Sequence, residues 1–509
     1  MASIFTLHHN TDSPMESVHK RKKGSLVKPS SSSLFALLSH QQNLHYFLLF
    51  FLALFSRVLV WGIAFVSNYI IEDYDSSVDL ILPTFSKSFI QAILKRTMVA
   101  FVRWDAFYFM HVAEEGYVYE QEFAFFPMLP VLMRGLSDSV FRPLQIFFDR
   151  KLLLALSGIL ISNLAFALAA VALYHLSYSI FKKEKFALIS ALCFCITPSC
   201  MFMSSMYTES LFALFSFVGM DLYVHKHFWS AAVVWALGTS TRSNGITYAG
   251  FFIFDLCIKN RTKSSRVYMA QVAKAVGLSI VTMLGMMSFQ LYGYVSYCVN
   301  QNDPRPWCEY RIPSIYSFVQ EEYWNCGFLR YYEWKQIPNF LLAAPMVILS
   351  LSGIWCYAAH DWFRFFSVGI KDRTSSKRYE GPYPVKTTKE HQHVRKAMNA
   401  RPVMLSPIRR ISANTNPPKT AALEGLFYTD ALLPFIYLWG VLLAYCTLAM
   451  HIQVITRFFS CMPTVYWFAA HVLVQDPKHH EMSIRLVLFY FITYGLTGIV
   501  LFSNFLPPA

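Results

Sequence analysis

The sequence predicts an all-α polytopic membrane protein with about ten or eleven transmembrane helices, and three observations carry that prediction. Hydrophobic residues fill 55% of the 509 positions and charged residues only 15%, whereas an ordinary soluble domain is about 25% charged. A soluble core of this size would lack the polar surface to cover itself. Apolar runs near 20 residues recur along the chain, the length a helix needs to cross a hydrocarbon layer of about 30 Å. The net charge of +14 sits in short blocks between these runs. That pattern reads as loops obeying the positive-inside rule rather than as one continuous face for nucleic acid.

Residues 1–43 are polar and Ser/Lys-rich, with no cleavable signal, and read as a disordered cytosolic tail. The first apolar run, 44–70, then serves as an uncleaved signal-anchor. Residues 71–151 form a long non-cytosolic loop. Residues 152–360 form a transmembrane bundle, with spans at 152–177, 186–203, 210–225, 228–241, 245–258, 270–297 and 337–360 and a second non-cytosolic loop at 298–336. Residues 361–426 are a basic cytosolic linker, and 427–505 hold the spans 427–450, 455–474 and 485–505. The three stretches between 210 and 258 are short and could equally be fewer, longer helices broken at Ser243-Asn244-Gly245. Phe123 to Leu132 is apolar but contains Pro127 and Pro130, and reads as re-entrant or interfacial.

Charge orients the chain. With Lys20-Arg21-Lys22-Lys23 in the cytosol, Lys182, Lys183 and Lys185, then Lys259 to Arg266, then the thirteen Lys/Arg of 361–426 share that side. Residues 71–151 carry eight Lys/Arg on the opposite side, and long loops translocate largely regardless of charge. No internal repeat of the kind that marks many transporters is visible.

Four polar constellations could carry chemistry. Arg103-Trp104-Asp105 is followed by Glu114-Glu115-Gly116-Tyr117 and Tyr119-Glu120-Gln121-Glu122-Phe123, carboxylates among aromatics. Carboxylates with little water can act as general bases, and aromatic faces suit carbohydrate rings. A solvated interfacial helix would look the same. Thr208-Glu209 opens a span, where a helix cap is the plain reading. Thr239-Ser240-Thr241-Arg242-Ser243-Asn244-Gly245 offers an arginine among hydroxyls and an amide, suited to phosphate or to a hairpin turn. His451-Ile452-Gln453-Val454-Ile455-Thr456-Arg457 places ionisable groups in an apolar segment, where they are costly and hence functional candidates. Ten cysteines include no zinc-like pairs; Cys193 and Cys195 read as packing thiols, and any two of Cys298, Cys308 and Cys326 could pair in an oxidising compartment.

These segments, in order, resemble the phosphatidylinositol-glycan class V family, the second mannosyltransferases of glycosylphosphatidylinositol anchor assembly. The resemblance rests on Arg103-Trp104-Asp105 with Gly116-Tyr117 and Ala124-Phe125-Phe126-Pro127; on Tyr207-Thr208-Glu209-Ser210; on Thr241-Arg242-Ser243-Asn244-Gly245; on Tyr323-Trp324-Asn325 through Ile337-Pro338-Asn339-Phe340; and on His451 to Pro463 with Tyr466-Trp467. It implies a GT-C membrane glycosyltransferase of the endoplasmic reticulum with a luminal active site. Such an enzyme moves mannose from dolichyl-phosphate mannose, α1,6-linked, to the mannosyl-glucosaminyl-acyl-phosphatidylinositol acceptor. Inversion at the sugar requires a carboxylate base and cations for the departing phosphate. On that resemblance Asp105 is the expected base, with Glu120 or Glu122 its rival, and Arg242, His451 and Arg457 are expected at the phosphate. Trp104, Tyr117, Glu209, Asn244 and Gln453 are expected to line the substrate site. No cofactor and no metal are expected, because the leaving group is already a lipid phosphate. Membrane lipids are expected partners, and the resemblance leaves room for a small membrane-protein partner. The alternatives are another GT-C transferase with a different acceptor, or a lipid or solute transporter.

Overall fold

The computed structural model describes residues 31–74, 82, 88–262, 264–299, 304–369 and 425–506, with side chains from residue 44 onward. Most of the basic linker therefore lies outside the described residues. Chain contacts separate residues 1–47 from residues 48–509, and everything below, apart from the first four residues of the span Leu44–Ile70, concerns the second unit. Every regular element among the described residues is helical.

Six of these helices are long and apolar enough to cross a bilayer: Leu44–Ile70, Arg150–Phe181, Ser265–Cys298, Trp334–His360, Asp430–Ala449 and Pro477–Ser503. The other expected spans take a different form. Glu209–Val224 has 16 residues and Phe228–Thr239 has 12, about 24 and 18 Å long at 1.5 Å per residue. The expected span 186–203 is two helices, Glu184–Cys195 and Cys200–Ser204, parted at Pro198. Pro463 likewise parts Ile455–Phe459 from Pro463–Leu473. Residues 245–258 are a 3-10 turn, one α-turn and a π-helical stretch, Ile253–Lys259. Proline cannot donate to the turn before it, which is why helices part at those two positions. Pro130, by contrast, sits in the first turn of Met128–Asp138, where no helical partner for its nitrogen is needed.

Broken helices in an apolar setting leave carbonyls that something must satisfy. At the Pro198 break the donors come from other helices. Arg57, 3% exposed, donates from Nη2 to the Cys195 carbonyl at 3.0 Å and from Nη1 to the Cys200 carbonyl at 2.9 Å, and its guanidinium lies 3.8 Å from the Phe166 ring centre. Asn163 Nδ2 donates to the Ser204 carbonyl at 2.8 Å, and Ser162 Oγ to that of Tyr207 at 3.0 Å. Gly158 lets the chain approach closely here: a Cβ at that position would stand 2.4 Å from Met206 Cγ. The Arg150–Phe181 helix and Arg57 thus hold the segment that delivers Tyr207, Thr208 and Glu209.

Candidate active site

Four helix ends and one loop helix converge on a cleft of about 280 Å³. Asp105 stands at the start of Ala106–Glu115 and Thr208 at the start of Glu209–Val224. Arg242 follows the end of Phe228–Thr239, and His451 follows the end of Leu433–Ala449. The loop helix Ile315–Glu322, with Trp324 beyond it, adds a wall that packs on Phe125 and Phe126: Tyr316 lies 5.4 Å from Phe126 and Trp324 6.0 Å from Phe125. Helix ends expose unpaired backbone groups and carry polar side chains, so a membrane bundle gathers chemistry where its helices stop.

The centre is a four-membered charge network. Arg457 Nη2 donates to Asp105 Oδ2 at 2.8 Å, and its Nε donates to Glu209 Oε1 at 2.8 Å. Arg242 Nη1 reaches the same Glu209 oxygen at 2.7 Å and the Thr208 hydroxyl at 3.3 Å. Glu209 is 1% exposed, whereas the Asp105 side chain is 32% exposed and lines the cleft. The arginines are further confined by rings: Arg457 lies 4.7 Å from Phe202 and 5.0 Å from Tyr207, and Arg242 lies 5.0 Å from Phe458. Two cations and two carboxylates balance, but only one carboxylate faces the open space.

Asp105 is aimed by the turn before it. Trp104 holds a left-handed φ of 53°, a conformation that costs a bulky L-residue roughly 1–2 kcal/mol. Three contacts hold it there. The Tyr207 hydroxyl donates to the Arg103 carbonyl at 3.1 Å and accepts from the Asp105 N–H at 3.1 Å. Buried Arg103 donates to both Asp73 oxygens at 2.8 Å and to the Ser503 carbonyl at 2.9 Å. The Trp104 ring packs 4.9 Å from Phe505. Strain concentrated at one exposed carboxylate is a common mark of a functional turn. Tyr207→Phe removes both hydroxyl bonds without changing the ring, so the rate of whatever reaction the Asp105 carboxylate serves is expected to fall about tenfold with abundance retained, measured as initial rate per amount of protein in microsomes.

His451 lines the same cleft. Its Nε2 lies 2.6 Å from the Trp324 carbonyl and its ring stacks on Tyr331 at 4.6 Å. The structure therefore brings Asp105, Glu209, Arg242, His451 and Arg457 together. Six other expected residues do not reach the cleft wall. Gln453 accepts from the Tyr331 hydroxyl, which also accepts from Asn339 Nδ2 at 2.8 Å. Asn244 is buried beneath the Arg242 turn, and its side-chain oxygen has no hydrogen-bond partner among the described residues. Tyr117 donates to the Phe125 carbonyl at 2.6 Å and packs 4.7 Å from Phe123 and 5.0 Å from Phe289, behind the wall. Trp104 faces Phe505, as described.

Glu120 and Glu122 are held elsewhere, each fully engaged. Glu120 accepts from Arg305 Nε and Nη2 at 3.1 and 2.7 Å, from Trp307 Nε1 at 2.7 Å and from the Tyr323 hydroxyl at 3.1 Å. A disulfide between Cys298 and Cys308 closes the loop that carries Arg305 and Trp307, leaving Cys326 free. Burial works to raise the Glu120 pKa, but the bonds from Arg305 and Trp307 outweigh it and hold the carboxyl below its ordinary value. A depressed carboxylate stabilises the fold above its unfolded pKa of about 4.3, and that contribution disappears as pH falls through the folded value. Glu120→Gln is therefore expected to lower the thermal midpoint at pH 7, with the gap from wild type closing below about pH 4. Thermal unfolding of purified protein across pH 3–8 measures this. Glu122 accepts from the Val118 and Tyr119 N–H groups at 2.8 and 2.9 Å and pairs with His111.

The cleft also uses Tyr316, Gln320 and Trp324, which the sequence reading does not place among the site residues, and Tyr207, which fixes its turn; Thr208 and Ser243, read there as a helix cap and as a hydroxyl beside Arg242, line it as well. Among the described residues no three His, Cys, Asp or Glu side chains converge as metal ligands.

An all-helical membrane scaffold whose broken helices converge on an exposed carboxylate and two arginines defines a polytopic membrane enzyme. The family model described as mannosyltransferase (PIG-V) matches residues 46–509. The chain belongs to that family, and it is a glycosyltransferase. It is similar to GPI alpha-1,6-mannosyltransferase 2 of Cricetulus griseus, 29% identical over 89% of this chain and 96% of the relative. The human protein of the same name is 28% identical over the same shares. GPI mannosyltransferase 2 of Aspergillus fumigatus is 31% identical over 86% of this chain and 88% of its own length.

Proposed function

We propose that the chain transfers mannose from dolichyl-phosphate mannose, by inversion, to the first mannose of the glycosylphosphatidylinositol precursor, forming an α1,6 bond at the luminal face of the endoplasmic reticulum. The observation that carries this reading is the Asp105–Arg457–Glu209–Arg242 network, with its single exposed carboxylate. The names of the relatives support the linkage and the acceptor. The Cys298–Cys308 bond supports an oxidising compartment for that loop.

In this mechanism the acceptor 6-hydroxyl attacks the anomeric carbon as the bond from that carbon to the phosphate oxygen breaks. Asp105 takes the hydroxyl proton and becomes neutral. The phosphate, a singly charged diester in the donor, leaves as a monoester with one more negative charge. Arg457 thus loses its exposed carboxylate partner while a new anion forms within its reach, and its attraction transfers to the leaving group. Arg242 and His451 border the same space. Glu209 does not change charge; it keeps both guanidinium groups facing the cleft. Stabilisation present only after proton transfer lowers the barrier rather than merely tightening substrate binding.

The test is complementation of cells lacking their own second mannosyltransferase. Microsomes with this chain are expected to convert the one-mannose precursor to the two-mannose product only when dolichyl-phosphate mannose is supplied. No conversion in the presence of both substrates refutes the reading. Glycosylation tags placed in 75–90 become modified under the luminal topology and those in 375–415 do not; the reverse pattern refutes the orientation.

A further inference from the structure

The span Pro477–Ser503 closes with the paired bonds of a left-handed helix cap. The Phe505 N–H donates to the Phe502 carbonyl at 3.2 Å, and the Leu506 N–H donates to the Leu501 carbonyl at 2.9 Å. The left-handed position of such a cap usually holds glycine, which has no Cβ to strain. Here it holds Phe505, with a φ of 63° and 3% exposed. A bulky side chain where glycine would cost less needs contacts that offset the strain. The Phe505 ring has three, and all belong to the turn and helix that carry Asp105. It lies 4.9 Å from the Trp104 ring, 5.7 Å from the Phe107 ring and 5.1 Å from the Arg103 guanidinium. Trp104 is itself left-handed. Two strained aromatic residues thus pack on each other, and Asp105 directly follows one of them.

The backbone beside Phe505 is fixed without its side chain. The Ser503 carbonyl accepts from Arg103 Nη2 at 2.9 Å and from Asn68 Nδ2 at 3.0 Å. The Asn504 carbonyl accepts from the Tyr74 N–H at 3.1 Å, and Asn504 Nδ2 donates to Ser67 Oγ at 2.8 Å. These bonds tie the end of Pro477–Ser503 to the end of Leu44–Ile70 and to the loop that follows it. Phe505 does not line the cleft. What its ring adds is a wall against which Trp104 keeps its turn, while the Tyr207 hydroxyl holds the same turn through the Arg103 carbonyl and the Asp105 N–H.

We infer that Phe505 is a positioning residue for Asp105, whose part as base rests on the functional reading above: the ring keeps Trp104 left-handed and thereby keeps the Asp105 carboxylate on Arg457 and in the cleft. The test uses the full chain, with steady-state transfer in complemented microsomes and melting midpoints of purified protein. Phe505→Gly keeps the cap at lower backbone cost and removes only the ring. It is expected to lower kcat about tenfold with KM for both substrates unchanged, since the base is misaimed and the cleft wall is intact. Phe505→Ala is expected to lose transfer to the same extent but to melt below Phe505→Gly, because alanine strains the left-handed position. Phe505→Tyr, which keeps the ring, retains at least half of the wild-type kcat. The double variant Phe505→Gly/Tyr207→Phe falls no further than either single one, because losing one hold already frees the turn. Three results overturn the proposal: an unchanged kcat in Phe505→Gly, transfer that follows the melting midpoints, or a hundredfold loss in the double variant. Wild type that transfers no mannose refutes the functional reading instead. The interlocked turns are then read from melting alone, where Trp104→Gly and Phe505→Gly are expected to shift the midpoint non-additively, and additive shifts overturn the lock.

Discussion

Asp105→Asn lowers mannose transfer by roughly 10²–10⁴-fold, the range over which a positioned general base accelerates proton transfer, with the protein present at normal abundance. The two expectations separate because the substitution changes basicity and little else. The Asn oxygen still accepts from Arg457, whose bond to Asp105 is 2.8 Å long. The backbone bond between the residue-105 N–H and the Tyr207 hydroxyl does not involve the side chain. What disappears is the proton acceptor of the proposed mechanism, and with it the charge change by which that mechanism frees Arg457 for the leaving phosphate. The measurement is the rate of conversion of the one-mannose precursor in complemented microsomes, normalised to protein by immunoblot. A variant with full activity at normal abundance removes Asp105 as the base. Asp105→Glu restores the carboxylate but moves it by one methylene; a partial recovery distinguishes a basicity requirement from a purely structural one.

The sequence discloses this centre unevenly, for physical reasons. Long apolar runs are self-announcing: the run read at 152–177 is the helix Arg150–Phe181, and that at 337–360 is Ile337–His360. Short runs are not. Hydropathy registers the apolar side chains of 186–203 and 455–474 but not the breaks at Pro198 and Pro463, although each proline is itself the signal. The same breaks create the site, because Tyr207 to Glu209 and His451 to Arg457 follow or flank interrupted helices. Arg242, His451 and Arg457 stand out because ionisable residues in an apolar segment need a reason. Arg57 meets the same criterion in the middle of the run 44–70; its role is to satisfy carbonyls at a distant break. The carboxylates of the first long loop show the limit of local reading. Asp105, Glu120 and Glu122 lie within 18 positions and look interchangeable. Only tertiary partners separate them, since Arg305 and Trp307 reach Glu120 from more than 180 positions away.

Glu209→Gln has the largest expected effect on stability. Glu209 is the first residue of its helix, where a negative charge is favoured by the helix dipole, and it is the only fully buried member of the network. Two guanidinium groups share its Oε1, while Oε2 has no hydrogen-bond partner among the described residues. Gln keeps an oxygen but removes the countercharge and adds an N–H₂ donor beside two cations that can only donate. One partner removed from a buried ion pair costs about 3–5 kcal/mol, because the remaining charge stays buried and uncompensated. Here two cations are left with Asp105 alone. Thermal or denaturant unfolding of purified protein is expected to show a loss of that size, with lower abundance in cells. The double variant Glu209→Gln/Arg242→Gln removes one cation together with its partner, and is expected to regain much of the stability. It does not regain transfer, since a cation facing the cleft is gone. A single variant within about 0.5 kcal/mol of wild type, the ordinary range for a surface change, means that Glu209 is not the countercharge on which the two arginines depend. Recovery of both stability and transfer in the double variant means that Arg242 is structural ballast for Glu209, and that the departing phosphate is met by Arg457 without it.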